Sequence, residues 1–87
     1  MLAVMAAKRR RVGKAFGIAL REARITKGIT QEELADRADY STVSISFFEN
    51  GHRQPTISAL ISLEDALGLD PGELVRQTKV HLRSARK

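Results

Sequence analysis

Between Gly28 and Gly51 the sequence is punctuated into two short helices with barely a turn between them, and the rest of the chain must pack around that unit. The first of the two opens at "ITQEEL". Thr30 is a natural N-cap, and Glu33 stands three residues on, the spacing of a capping box. Ile29 and Leu34 flank the box at the hydrophobic-staple positions. Four local signals thus agree on one helix start. This helix should end near Ala38. Asp39 and Tyr40 make a tight turn, and Ser41 caps the next helix, which runs to Asn50–Gly51.

The remaining sequence also reads as helix. Apolar residues recur at intervals of three and four, and strand alternation is absent before the last nine residues. A first helix is expected over roughly Val12 to Lys27, with room for an earlier start, and Phe16, Ala19, Leu20 and Ala23 form its inner stripe. Gly28 stops it. Thr56 caps a fourth helix that stops at Gly68. Ile57, Leu60, Ile61, Leu63 and Leu67 make that helix apolar over much of its girth, which predicts a central position. "DPGEL" opens a fifth, with Asp70 as cap, Pro71 at the first helical position and Glu73 completing a second box. The expectation is an all-α, five-helix domain over residues 12–78. Residues 1–11 then form a basic N-terminal arm and residues 79–87 a basic C-terminal tail.

Two short helices joined by a tight turn make a helix-turn-helix arrangement, and its geometry sets three demands. The crossing needs a small residue in the first helix, and Ala35 supplies it. The turn favours a left-handed residue, and Asp39 sits there. The second helix must anchor in the core, and Ile45 and Phe48 can do so. At about 100° per residue, Thr42, Val43, Ser46 and Phe47 then share one face, while Ser44, Ile45 and Phe48 point broadly the other way. From Ser41 the segment "STVSISFFENG" carries no charge until Glu49. A face without acids suits a major groove, where phosphates would repel negative charge.

These residues carry a resemblance. The run "LREARITKGITQEELADRADYSTVSISFFENGHRQPTISALISLEDALGLDPGELV" is similar to the Cro/CI-type, or XRE-like, helix-turn-helix family of bacterial and phage repressors. Its most specific pieces are "GITQEELA", the "ENG" followed by Arg53, Pro55 and Thr56, and "ALGLDP" followed by Glu73 and Leu74. The resemblance implies a compact lambda-repressor-like fold and a sequence-specific, double-stranded DNA-binding transcriptional regulator, expected to be a repressor. It implies base contacts from Thr42, Val43 and Phe47, with Ser46 between them. It implies backbone contacts from Gln31, Asn50 and Arg53, and a structural ion pair between Arg24 and Glu49. The chain departs from the family pattern at Asp39, where Gly is usual, at Phe47, where a polar residue is common, and at Glu64, where a small residue is common. Phe47 cannot hydrogen-bond a base, so contact with a thymine methyl is its expected mode.

Charge distribution fits a polyanionic partner. The net charge is +5, yet residues 12–75 hold six basic residues against all ten acids, a balance of −4. The excess sits in Lys8, Arg9, Arg10 and Arg11 at the front and in Arg76, Lys79, Arg83, Arg86 and Lys87 at the back. Basic ends of this kind are expected to add salt-dependent affinity for nucleic acid. There is no Cys, and His52 and His81 lie far apart, so neither a metal site nor a thiol nucleophile is expected. No cofactor is implied. No apolar run reaches membrane-spanning length, and the apolar start precedes the basic cluster, the reverse of a signal peptide. A cytoplasmic protein without enzymatic activity is the expectation. One recognition helix reads too few base pairs to be selective, so a homodimer on two half-sites is expected, with Leu74, Val75, Val80 and Leu82 as candidate contacts. The alternative is a protein-interaction module or antitoxin whose third helix binds a partner through Val43 and Phe47.

Overall fold

The computed structural model describes residues 2–84. It consists of five helices, α1 (Leu2–Lys27), α2 (Gln31–Ala38), α3 (Thr42–Glu49), α4 (Ile57–Leu67) and α5 (Glu73–Ser84). No strand occurs among the described residues. Of the basic residues assigned to the C-terminal tail, Arg86 and Lys87 lie outside the described residues. No helix among the described residues is long and apolar enough to cross a membrane.

The helix starts follow from side chains that replace missing backbone partners. Thr30 Oγ1 accepts from Glu33 N at 3.0 Å, and Thr30 N donates to Glu33 Oε1 at 2.9 Å, closing the capping box. The bond from the Thr30 backbone lowers the Glu33 pKa from its ordinary value, with the Thr30 side chain as the next cause. The capping contribution is therefore present above the unfolded carboxyl value and is lost as pH falls through the lower folded value. Ser41 Oγ accepts from Ser44 N, and Thr56 Oγ1 from Ala59 N. Gly68, at φ 66°, closes α4 in the left-handed region that glycine occupies without strain.

Three boundaries differ from expectation. First, α1 begins at Leu2 and not near Val12, so residues 2–11 continue the helix instead of forming a separate arm. The run Lys8–Arg11 breaks the apolar stripe, but Lys and Arg are good helix formers and do not end a helix. At about 1.5 Å per residue its 26 residues span about 39 Å, which sets the 38 Å long dimension of the molecule. Second, α5 begins at Glu73 and not at Pro71, because Gly72 sits at φ 83° and holds Pro71 and Gly72 in a turn. Asp70 N donates to Glu73 Oε1 only over a long 3.4 Å. The capping carboxylate comes from Glu64 on α4, whose Oε1 accepts from Gly72 N and Oε2 from Leu74 N, both at 3.1 Å. That is the role of the family-atypical Glu64, and it explains how a carboxylate can be 8% exposed there. Third, α5 extends through Ser84, with His81 Nε2 2.8 Å from Glu22 Oε1 on α1.

The core lies where α1, α2, α3, α4 and α5 converge. Phe16, Leu20, Leu34, Ile45, Phe48, Leu63, Leu67 and Leu74 are buried together. Phe48 stands edge-on to Phe16 at 6.3 Å and to Tyr40 at 6.1 Å between centroids, the arrangement aromatic quadrupoles favour. Two expectations are corrected here. α4 is not enclosed all round: Ala59, Leu63 and Leu67 face the core, but Ile57 and Ile61 are 72% and 55% exposed. Leu74 is fully buried and is therefore no candidate for a subunit contact, whereas Val75 and Val80 are about half-exposed.

Candidate functional site

α2 and α3 meet through Asp39. Its backbone is left-handed, at φ 60° and ψ 46°, and its N–H bonds to Ala35 O and Asp36 O. Asp tolerates this region better than most residues, which is why the turn forms without glycine. Tyr40 N bonds to Ala35 O at 2.9 Å. Ala35 and Ala38 are buried at the crossing, where larger side chains would hold the two helices apart. Ile45 and Phe48 fix the inner side of α3 in the core.

The single acid of α3 is turned away from solvent. Glu49 Oε2 accepts from Arg24 Nε at 2.6 Å, and Oε1 accepts from Arg24 Nη2 at 3.1 Å. This two-bonded fork is the strong geometry for a guanidinium and a carboxylate. Gln31 Nε2 adds a third bond to Glu49 Oε1 at 3.0 Å, and Arg24 Nη1 also reaches Ile29 O at 3.0 Å. The bond to Glu49 raises the Arg24 pKa above its usual value, against the opposing effect of burial. One carboxylate thus locks the end of α3 to α1 and to the start of α2. Gln31, expected at the DNA backbone, gives one of its two amide N–H groups to this network.

The opposite side of α3 is open. Thr42, Val43, Phe47 and Asn50 are exposed, and Ser46 is half-buried beside them. Val43 is 61% and Phe47 39% exposed. Asn50 Nδ2 donates to Ser46 Oγ at 3.2 Å, so the two act as one polar pair along the helix edge. Arg53 does not hang free in the loop after α3. Its guanidinium carbon lies 5.5 Å from the centre of the Phe47 ring, and Nη1 donates to Ser44 Oγ at 3.3 Å. His52 lies on the same ring at 6.1 Å. Such cation–π contacts contribute about 0.5–1 kcal/mol at exposed sites. Their geometric effect is larger, since they hold an otherwise mobile aromatic and a cation side by side. The sequence gives neither Ser44 nor His52 a role at this site, and nothing local marks their contacts with Arg53 and Phe47.

α1 runs along the end of α3. A Cβ on Gly17 would lie 2.4 Å from Glu49 O and 2.6 Å from Phe48 O. A Cβ on Gly13 would lie 3.3 Å from Gly51 O. Gln54 Nε2 donates to Arg9 O at 2.8 Å. The sequence signal for this contact is the pair of glycines four residues apart on one helix face, which allows two backbones to approach. As a result, Arg9, Arg10 and Lys14 stand beside the 50–54 loop. Among the described residues no group of three or more His, Cys, Asp or Glu side chains could hold a metal ion.

Comparison with known proteins agrees with this architecture. Residues 20–74 match the family model described as helix-turn-helix. The chain is 41% identical over 70 residues to y4dJ of Sinorhizobium fredii, an uncharacterised HTH-type transcriptional regulator, covering 80% of this chain and 86% of that protein. The clp gene regulator ClgR from C. glutamicum superimposes with a TM-score of 0.77 at 30% identity, over 82% of this chain and 91% of that one. The restriction-modification controller protein C.AhdI from Aeromonas hydrophila gives a TM-score of 0.68 at 34% identity, over 70% of this chain and 92% of that one.

Proposed function

This chain belongs to the helix-turn-helix family of XRE-like transcriptional regulators, and we propose that it is a sequence-specific double-stranded DNA-binding repressor that reads the major groove with α3. The observation that carries this reading is the division of α3 into two sides. Its only acid is buried and neutralised by Arg24, while the protruding side presents Thr42, Val43, Phe47 and Asn50 without negative charge. A helix of this width fits the major groove, and an uncharged face can approach the backbones on either side. Thr42 and Ser46 supply hydroxyls for base edges or sugar-phosphate. Val43 and Phe47 supply apolar surface for thymine methyl groups.

Backbone contacts fall to Asn50 and Arg53 at one end of α3 and to the start of α2 at the other. In this reading Gln31 orients Glu49 with one amide N–H and offers the second to a phosphate of the DNA backbone. Arg53, held against Phe47, is the cation offered to the phosphate beside α3. The protein acts as a homodimer, since half-sites about one helical turn apart double the sequence read. Exposed Ile57, Ile61, Val75 and Val80, with Leu82, are the apolar residues available for that contact.

The apolar character of Val43 and Phe47 also suits a protein partner, and one experiment separates the two readings. Operator binding by the full chain is compared with that of Phe47→Ala and Asn50→Ala. Both positions are exposed, so folding should be retained. The Phe47 loss is expected to weaken operator binding about 5- to 150-fold, in line with about 1–3 kcal/mol per lost base contact, and the loss of the Asn50 backbone contact to weaken it measurably as well. Unchanged operator affinity in both variants would transfer this face to a protein partner.

A further inference from the structure

We propose that the N-terminal turns of α1 form a rigid phosphate-binding ridge, in which Arg10 and Lys14 grip the DNA backbone next to the contacts made by the 50–54 loop. This rests on the DNA-binding reading above and adds a second, sequence-independent contact region to it. The family match begins at residue 20, so the ridge lies outside the part of the chain that the match covers.

Position is the first argument. Arg10 borders two adjoining shallow hollows on the surface. Lys14 shares the first with Asn50 and Gly51, and Arg9 shares the second with His52, Arg53 and Gln54. The hollows therefore lie between the α1 cations and the residues that follow the recognition helix. In the proposed docking on α3 the residues after the recognition helix face a phosphate backbone, and these cations stand directly beside them.

Rigidity is the second. The ridge is not a loose arm. Gly13 and Gly17 bring α1 into backbone contact with Gly51, Phe48 and Glu49, and Gln54 bonds to Arg9 O. A Cβ on Gly51 would itself lie 3.0 Å from the Lys14 Cα, so the loop and helix are mutually fixed. Cations held in place lose less freedom on binding than cations on a disordered arm.

Charge is the third. Lys8, Arg9, Arg10, Arg11 and Lys14 are all exposed, and no acid precedes Glu22 in the chain. Guanidinium groups match the paired oxygens of a phosphodiester, and such contacts position a protein without reading sequence.

The test uses the full chain and a random-sequence DNA duplex long enough for two half-sites. Binding constants are measured against salt concentration for the wild type, for Arg10→Gln with Lys14→Gln, and for a charge-matched control, Lys27→Gln with Arg76→Gln. Each phosphate contact contributes about 0.9 to the slope of log affinity against log salt. The ridge variant is expected to lower that slope by about 2, and the control to change it by much less. A ridge variant with the wild-type slope overturns the proposal while leaving DNA binding by α3 intact. So does a control that lowers the slope equally, since general charge would then explain both. Wild-type protein that fails to bind any duplex removes the ridge together with the reading beneath it. Binding of wild type, but not of the ridge variant, to vesicles rich in anionic lipid, with the DNA slope unchanged, would assign the ridge to a membrane surface.

Discussion

Glu49→Ala is expected to lower the free energy of unfolding by about 3–5 kcal/mol, the range for breaking a buried ion pair by deleting one partner. The Glu49 side chain is 2% exposed and that of Arg24 13%. Removing the carboxylate strands the guanidinium of Arg24 in a site with little water and leaves the Gln31 amide without its acceptor. Small domains are stable by roughly 5–15 kcal/mol in total, so the loss should be visible as a large shift of the urea midpoint with little change in slope. Replacing both partners, as Arg24→Met with Glu49→Leu, should recover much of the loss, because an apolar pair of similar volume carries no stranded charge. A single-variant loss under about 1 kcal/mol, the range of exposed pairs, would show that the network is solvent-screened and does not fix α3.

Gly17→Ala is the second large effect, and here two principles oppose each other. Alanine is the better helix former by about 0.8–1.0 kcal/mol, and on propensity alone α1 should gain. The new Cβ would meet two backbone oxygens at 2.4 and 2.6 Å, and backbone cannot swing aside as a side chain can. α1 must then move off the end of α3, disturbing Phe16 and Phe48 and the Arg24–Glu49 fork together. Overpacking of this kind costs typically about 1–3 kcal/mol and occasionally more. The upper end is expected, so the clash outweighs propensity and the thermal midpoint falls. Gly13→Ala, where the contact is 3.3 Å, should be much milder. Because Gly17 packs on the Glu49 backbone, its effect and that of Glu49→Ala should not add.

What could be read from the sequence was mostly local. The Thr30–Glu33 box and the left-handed turn at Asp39 involve residues within a few positions of each other, and five helices without strands follow from such signals plus periodicity. Contacts across the fold were not legible in the same way. Glu64 carries no sign in its neighbourhood that it will cap a helix beginning nine residues later. Arg24 and Glu49 stand 25 residues apart, and only the family resemblance pairs them. The inner stripe places the first helix over roughly Val12 to Lys27 with room for an earlier start, and the start at Leu2 is hidden because the basic run interrupts the stripe without ending the helix. The exposure of Ile57 and Ile61 is not legible because apolar identity does not reveal whether a neighbour exists to cover that side. The stacking of Arg53 on Phe47 depends on how the loop after α3 folds back, which no local rule sets.

The uncharged side of α3 is proposed to read duplex DNA. Selection of bound sequences from a random DNA pool tests it most directly, run with the wild type and with Phe47→Ala. The wild type is expected to enrich two related half-sites about one helical turn apart, with thymine at positions where the Phe47→Ala pool loses its preference. A wild-type pool that stays random, or a thymine preference that survives Phe47→Ala unchanged, would contradict it.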